Sequence, residues 1–173
     1  LGMRASETAS IVFEDCVISD AQRLGEEGEG FLQAMQVLDG GRISIAALSV
    51  GIAQGAYESA VKYAKERVQF GKPIGSFQAI AHYLADLIVK IEGAKVLVYQ
   101  AAWAIDNGKP FEKLALQAKL QACNVLRDAS ATGVQVHGGM GFIEETGAAQ
   151  YYRDAQILTI SEGPTAIQAN DLV

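Results

Sequence analysis

Phe31-Leu32-Gln33-Ala34-Met35-Gln36-Val37-Leu38 opens the stretch that decides the fold, and the stretch runs on through Ile45 and Ile52 to about Arg67. Phe31, Met35, Leu38, Ile45 and Ile52 are separated by steps of three, four and seven, the spacing of one face of an α-helix. Small residues between Ala46 and Ala60 let a second helix approach closely. Gln69-Phe70-Gly71-Lys72-Pro73-Ile74-Gly75 then breaks the pattern. The spacing predicts a second helix from Ser76 to Asp106, ended by Asn107-Gly108-Lys109-Pro110, which combines residues that terminate helices. A third is expected from about Phe111 to Val136, ending at His137-Gly138-Gly139. Two shorter pieces follow, near Thr146–Ile157 and from Pro164 on. Long antiparallel helices joined by short loops define an all-α helical bundle over residues 26–173.

The first 25 residues read differently. Ser10-Ile11-Val12-Phe13-Glu14-Asp15-Cys16-Val17-Ile18 is short and β-branched, as a strand is, and Leu24-Gly25-Glu26-Glu27-Gly28-Glu29-Gly30 is a turn-rich boundary. One strand needs partners for its ladder hydrogen bonds. Residues 1–25 are therefore expected to be the tail of a β domain that lies upstream of this chain.

The 173 residues suffice for one domain with a hydrophobic core. Half of them are hydrophobic and the mean hydropathy is +0.14, an apolar excess that predicts an interface as well as a core. No run reaches the roughly 18 apolar residues that a bilayer span needs. A net charge of −6 and a pI near 4.9 argue against a nucleic-acid surface. Cys16 and Cys123 have neither metal-ligand nor CxxC spacing and suit a reducing compartment, a bacterial cytoplasm or a mitochondrial matrix, rather than a secreted protein.

Some residues stand out by chemistry alone. Arg42 falls on the apolar stripe of its helix, where a guanidinium needs a partner, and Asp39 lies three residues before it. Glu162 precedes Pro164, which fits a first helical position, so the carboxylate is equally explained as a favourable charge at a helix start. Gly138-Gly139 reads most simply as a helix terminator.

Separated segments carry a more specific signal. They are Leu1-Gly2-Met3-Arg4-Ala5-Ser6, Phe13-Glu14-Asp15-Cys16-Val17-Ile18, Leu38-Asp39-Gly40-Gly41-Arg42, and Glu66-Arg67-Val68-Gln69-Phe70-Gly71-Lys72-Pro73-Ile74 with Phe77-Gln78-Ala79-Ile80. Gln135-Val136-His137-Gly138-Gly139-Met140-Gly141-Phe142, Tyr152-Arg153-Asp154-Ala155 and Glu162-Gly163 complete the set. In this order and spacing they resemble the acyl-CoA dehydrogenases, in the C-terminal half of a chain built from an N-terminal helical, a middle β and a C-terminal helical domain.

The resemblance implies flavin-dependent α,β-dehydrogenation of a fatty acyl-CoA to the trans-2-enoyl-CoA, with electrons passed to an electron-transfer flavoprotein. It makes Glu162 the base that takes the α proton. It assigns Arg67, Gln69, Phe70 and Gln78 to FAD, and Gln135, Gly138 and Gly139 to the flavin nucleotide of a neighbouring subunit, hence a homodimer or homotetramer. Asp39, Arg42, Ser161 and Gly163 fall to the acyl-CoA pocket, and no metal is implied. Branches that carry the base just before the residue matching Arg42 have a counterpart here in Gly41, which removes no proton; this leans toward a short, straight acyl chain. The family's usual Tyr-Glu-Gly-Thr reads Ser161-Glu162-Gly163-Pro164 here, so Thr165 stands in for the hydroxyl that contacts flavin, and Ala166 replaces a second contact. The isolated chain is expected to fold without turning over substrate. Competing readings are an acyl-CoA oxidase or related flavin monooxygenase, told apart by oxygen consumption, and a non-catalytic helical interaction module.

Overall fold

A computed structural model describes residues 2–161, 163, 164, 167, 169 and 172. Its elements are α1 (Gly30–Glu66), a hairpin of β1 (Val68–Gln69) and β2 (Lys72–Pro73), α2 (Gln78–Asp106), α3 (Glu112–His137) and α4 (Ala148–Leu158), with single turns of 3-10 helix between them. The expected bundle is present, with its main helices within a few residues of their predicted bounds. The piece expected from Pro164 on falls largely outside the described residues.

The chain runs up, down, up and down. Ser49 meets Cys123, Gly133 comes beside Ala56, and Tyr63 stacks on His137, so α1 and α3 are parallel. Leu84 clusters with Ala60, Ala64 and Val136, which places the start of α2 at the far end of both and makes α2 antiparallel to them. Tyr151 lies against Gly55, and Leu158 reaches the level of Cys123, so α4 also returns toward the start of α1.

The core lies between α1, α2 and α3, and alanine lines much of it. Ala46, Ala53 and Ala56 of α1 cluster with Ala94 and Ala101 of α2 and Ala118, Ala122 and Ala129 of α3, all essentially without exposure. A methyl group keeps interhelical distances short, and each one buried contributes on the order of 0.8 kcal/mol. Ile91, Leu126 and Leu158 fill the wider gaps.

Two expectations need correction. The predicted core stripe of α1 is displaced: Phe31 is 78% exposed, Met35 and Leu38 remain exposed, and Ile45 and Ile52 pack only at the margin. The small-residue face is the buried one, because among the described residues no element covers the first turns of α1. Residues 10–18 form no strand and bend at Glu14-Asp15, since no sheet edge among the described residues offers them a ladder.

The helix-breaking stretch after α1 is a tight hairpin. Val68 pairs with Pro73 and Gln69 with Lys72, leaving Phe70 (φ +53°) and Gly71 (φ +81°) as the two loop residues. Positive φ at both matches the twist of a two-residue hairpin. At the other end of the sequence, residues 2–6 fold back onto α4. Met3 N–H donates to Asp154 Oδ1 at 2.6 Å, while Glu144 pairs with Arg153 at 3.3 Å and Arg4 at 3.6 Å.

Candidate functional site

The sequence-predicted residues gather at the two ends of the bundle. At the upper end, the close of α1, the hairpin and the turn after α3 enclose a cleft of about 470 Å³ lined by Tyr63, Arg67, Gln69, His137, Gly138 and Gly139, with Ile74, Val136 and Met140. Two segments some seventy positions apart therefore meet because α1 and α3 are parallel and end together.

The chemistry of this cleft favours an anion with an aromatic or apolar neighbour. Arg67 makes no ion pair among the described residues, so its planar donor fork is open to a ligand. Gly138 has φ +59°, and a Cβ on Gly138 or Gly139 would meet nothing within 4 Å, so the backbone leaves open space there. Tyr63 and His137 stack with centroids 4.4 Å apart and form an aromatic wall. His137 Nδ1 lies 2.7 Å from the Gly133 carbonyl, which only accepts, so this nitrogen carries the proton. A diphosphate with an attached nucleoside fits this donor set.

Phe70, Gln78 and Gln135 are not brought into the cleft lining. Phe70 is 93% exposed at the hairpin tip, edge-on to Phe77 at 6.2 Å, and Lys72 Nζ sits 4.4 Å above the Phe77 ring. Gln78 is exposed at the first turn of α2, and Gln135 is exposed in the last turn of α3. All three lie near the same end of the bundle.

At the lower end stand Asp39 and Arg42. Asp39 Oδ1 accepts from Arg42 Nη1 at 2.7 Å, the ion pair that their spacing predicts, and both side chains are largely buried. Arg42 Nε is buried with no hydrogen-bond partner, which leaves one donor of the guanidinium unsatisfied. With a rise of about 1.5 Å per residue, Arg42 and Arg67 stand about 38 Å apart along α1.

Ser161 and Gly163 follow α4 at this lower end. Ser161 N–H donates to Ile157 O at 3.0 Å, and the Gly163 carbonyl accepts from Lys119 Nζ at 2.6 Å. Glu162 and Thr165, the base and the hydroxyl that the resemblance implies, lie outside the described residues, as does Ala166. Lys119 is about 27 Å along α3 from His137, so this group too is remote from the cleft.

Sequence reasoning missed Tyr63, His137 and Lys119 as site residues. For Lys119 a signal existed: Ala115, Ala118, Lys119, Ala122 and Leu126 follow helical steps of three and four, which puts the lysine on the buried face. Tyr63 and His137 carried none beyond their place beside Arg67 and Gly138. Among the described residues no group of three His, Cys, Asp or Glu is placed to hold a metal, and no helix is long and apolar enough to cross a membrane.

The bundle thus carries a cleft lined by Arg67 at one end and a partly buried Asp–Arg pair at the other. Comparison with known proteins gives the class. The family model described as acyl-CoA dehydrogenase, C-terminal domain, matches residues 28–173, and the chain belongs to this family. It is 48% identical to the mitochondrial short-chain specific acyl-CoA dehydrogenase of Rattus norvegicus over 97% of this chain and 41% of that protein. It is 46% identical to subunit CarC of the caffeyl-CoA reductase-Etf complex of Acetobacterium woodii, over 97% of this chain and 44% of that one. The butyryl-CoA dehydrogenase structure from Megasphaera elsdenii superposes with a TM-score of 0.91 at 46% identity, covering 93% of this chain and 42% of that one. The chain thus spans less than half the length of the relatives it matches.

Proposed function

We propose that this chain is the C-terminal part, residues 26–173 with a short preceding tail, of an FAD-dependent acyl-CoA dehydrogenase acting on a short, straight acyl-CoA. The observation that carries the reading is the convergence of Arg67 and Gln69 with Gly138 and Gly139 on one cleft. These segments are two of the ordered motifs, and they meet in a chain 46% identical to a butyryl-CoA dehydrogenase of the same fold.

Bound FAD supplies the acceptor for the hydride that leaves the substrate β carbon. The protein's own residues do the rest. Arg67 pairs with the diphosphate, while Gln69, Gly138 and Gly139 let the nucleotide lie close to the backbone, with Phe70, Gln78 and Gln135 at its rim. Glu162 takes the α proton, a task suited to a carboxylate held beside an acidified C–H. Asp39 orients Arg42 toward the acyl-CoA pocket, whose wall includes Ser161 and Gly163, and Thr165 reaches the flavin in place of the hydroxyl lost at Pro164.

The separation of the two ends bears on assembly. About 38 Å along α1 is too far for one flavin to touch both Arg67 and the Arg42 pocket of the same chain. The cleft therefore serves the flavin of a neighbouring copy, and the active unit is at least a homodimer. The uncovered apolar residues Val89, Val96, Tyr99 and Trp103 of α2 suit such contacts. Electrons leave to an electron-transfer flavoprotein, in keeping with the complex named for the Acetobacterium relative. That relative is named as a reductase, so the same site run in reverse on an enoyl-CoA is the second reading. A bacterial cytoplasm or a mitochondrial matrix is the proposed compartment.

The test is anaerobic addition of butyryl-CoA to the flavin-loaded protein that contains this chain. The visible flavin band should bleach, and Glu162→Gln should slow the bleaching by about 10²- to 10⁴-fold. In air, little oxygen should be consumed without an electron-transfer flavoprotein; rapid uptake would identify an oxidase. A bound flavin indifferent to short and long acyl-CoAs would refute the substrate.

A further inference from the structure

We propose that Lys119 is a positioning residue for the segment that carries Glu162, an inference that rests on the reading of Glu162 as the base. Lys119 has no solvent exposure, and its ammonium donates to the carbonyl of Gly163, the next residue after Glu162, at 2.6 Å. One turn further along α3, the equally buried Cys123 thiol donates to the Leu158 carbonyl at 3.2 Å and meets Ser49 Oγ at 3.7 Å. Two side chains one helical turn apart thus hold carbonyls on either side of Glu162 in the sequence.

Packing does not explain the lysine. A methionine of similar volume would fill the space without the cost of burying an ammonium, so the charge serves the groups it contacts. Those contacts hold a turn: Gly163 has φ +91°, in the left-handed region that glycine adopts freely. A charge-assisted bond to its carbonyl holds the chain at the residue where its direction changes. The segment that carries Glu162 is thus tied to α3 at the residue that follows it.

The experiment is anaerobic stopped-flow reduction of the flavin-loaded protein by butyryl-CoA. For Lys119→Met the limiting rate should fall about 10- to 100-fold, the penalty of a misplacement near 1 Å. Half-saturation by butyryl-CoA should stay within about twofold, since binding is not what the lysine supports. Lys119→Arg, which keeps a charged donor, should recover part of the rate. A wild-type limiting rate in Lys119→Met overturns the proposal, as does a loss confined to half-saturation. A role in stability alone would lower the melting temperature without changing the rate of the flavin-loaded fraction, which also overturns it. If Lys119→Met yields no flavin-loaded protein, Lys119→Gln is judged by the same outcomes. Full-rate reduction in Glu162→Gln would instead remove the base assignment itself, whatever the lysine variants do.

Discussion

Lys119 and Cys123 show how a helical chain hides functional detail at the level of single residues. Each lies among small apolar residues on α3, and each donates to a backbone carbonyl after or at the end of α4. Burial pushes the Cys123 thiol above its ordinary range, against the opposing pull of the Ser49 contact and the Lys119 charge. The thiol therefore stays protonated and inert in the folded chain. Because its folded pKa is raised, the stability it contributes is complete below the unfolded value and is lost as pH rises beyond about 8.5. Labelling by a disulfide reagent at pH 8 should be slow and follow unfolding, measured as thiol release with and without denaturant. Rapid labelling of native Cys123 would contradict this account of its burial. The sequence showed Cys123 only as a thiol without a pairing partner. What α3 packs against, and which carbonyls come within reach, depends on the return of α4, which no local pattern encodes.

At the scale of elements, the helices were legible and the hairpin was not. Periodicity marks α1, α2 and α3, and Asn107-Gly108 ends α2 as expected, with Gly108 at φ +60° and Lys109 N–H bonded back to Ala104 O at 2.8 Å. The pattern around Phe31 and Leu38 misplaced the buried face because those side chains are apolar without being covered by this chain. In the hairpin, two-residue strands are too short to show alternation, and a phenylalanine at a positive-φ position runs against turn preference. The left-handed conformation of Phe70 costs about 1–2 kcal/mol, and its ring gains little from this chain, which points to a ligand contact. Phe70→Gly relieves that strain but loosens the unfolded chain, so the net stability change should stay within about 1 kcal/mol. Flavin retention during dilution should fall all the same. A clear drop in melting temperature with flavin retention intact would assign Phe70 to folding rather than binding.

For the molecule as a whole, the decisive fact is the length of α1 and α3. Their parallel run puts Arg67 and Gly138 at one end and Arg42, Lys119 and Gly163 at the other, an arrangement that motif order alone does not reveal. The resemblance assigned Arg67 and Gln69 to FAD, and named a neighbouring subunit's flavin nucleotide only for Gln135, Gly138 and Gly139. The fold gathers Arg67 and Gln69 with Gly138 and Gly139 at one cleft, so on the proposed reading one nucleotide would meet both sets. On that reading the base and the cleft of any one chain would belong to different active sites. The most direct measurement is subunit complementation. Arg67→Glu should leave flavin weakly bound, Glu162→Gln should bind flavin but fail to transfer the proton, and each alone should be nearly inactive. Co-assembled in equal amounts, they should recover about a quarter of wild-type turnover with butyryl-CoA, since half the subunit pairs are mixed and each mixed pair holds one intact site. Mixed oligomers no more active than their parents would contradict a site shared between chains.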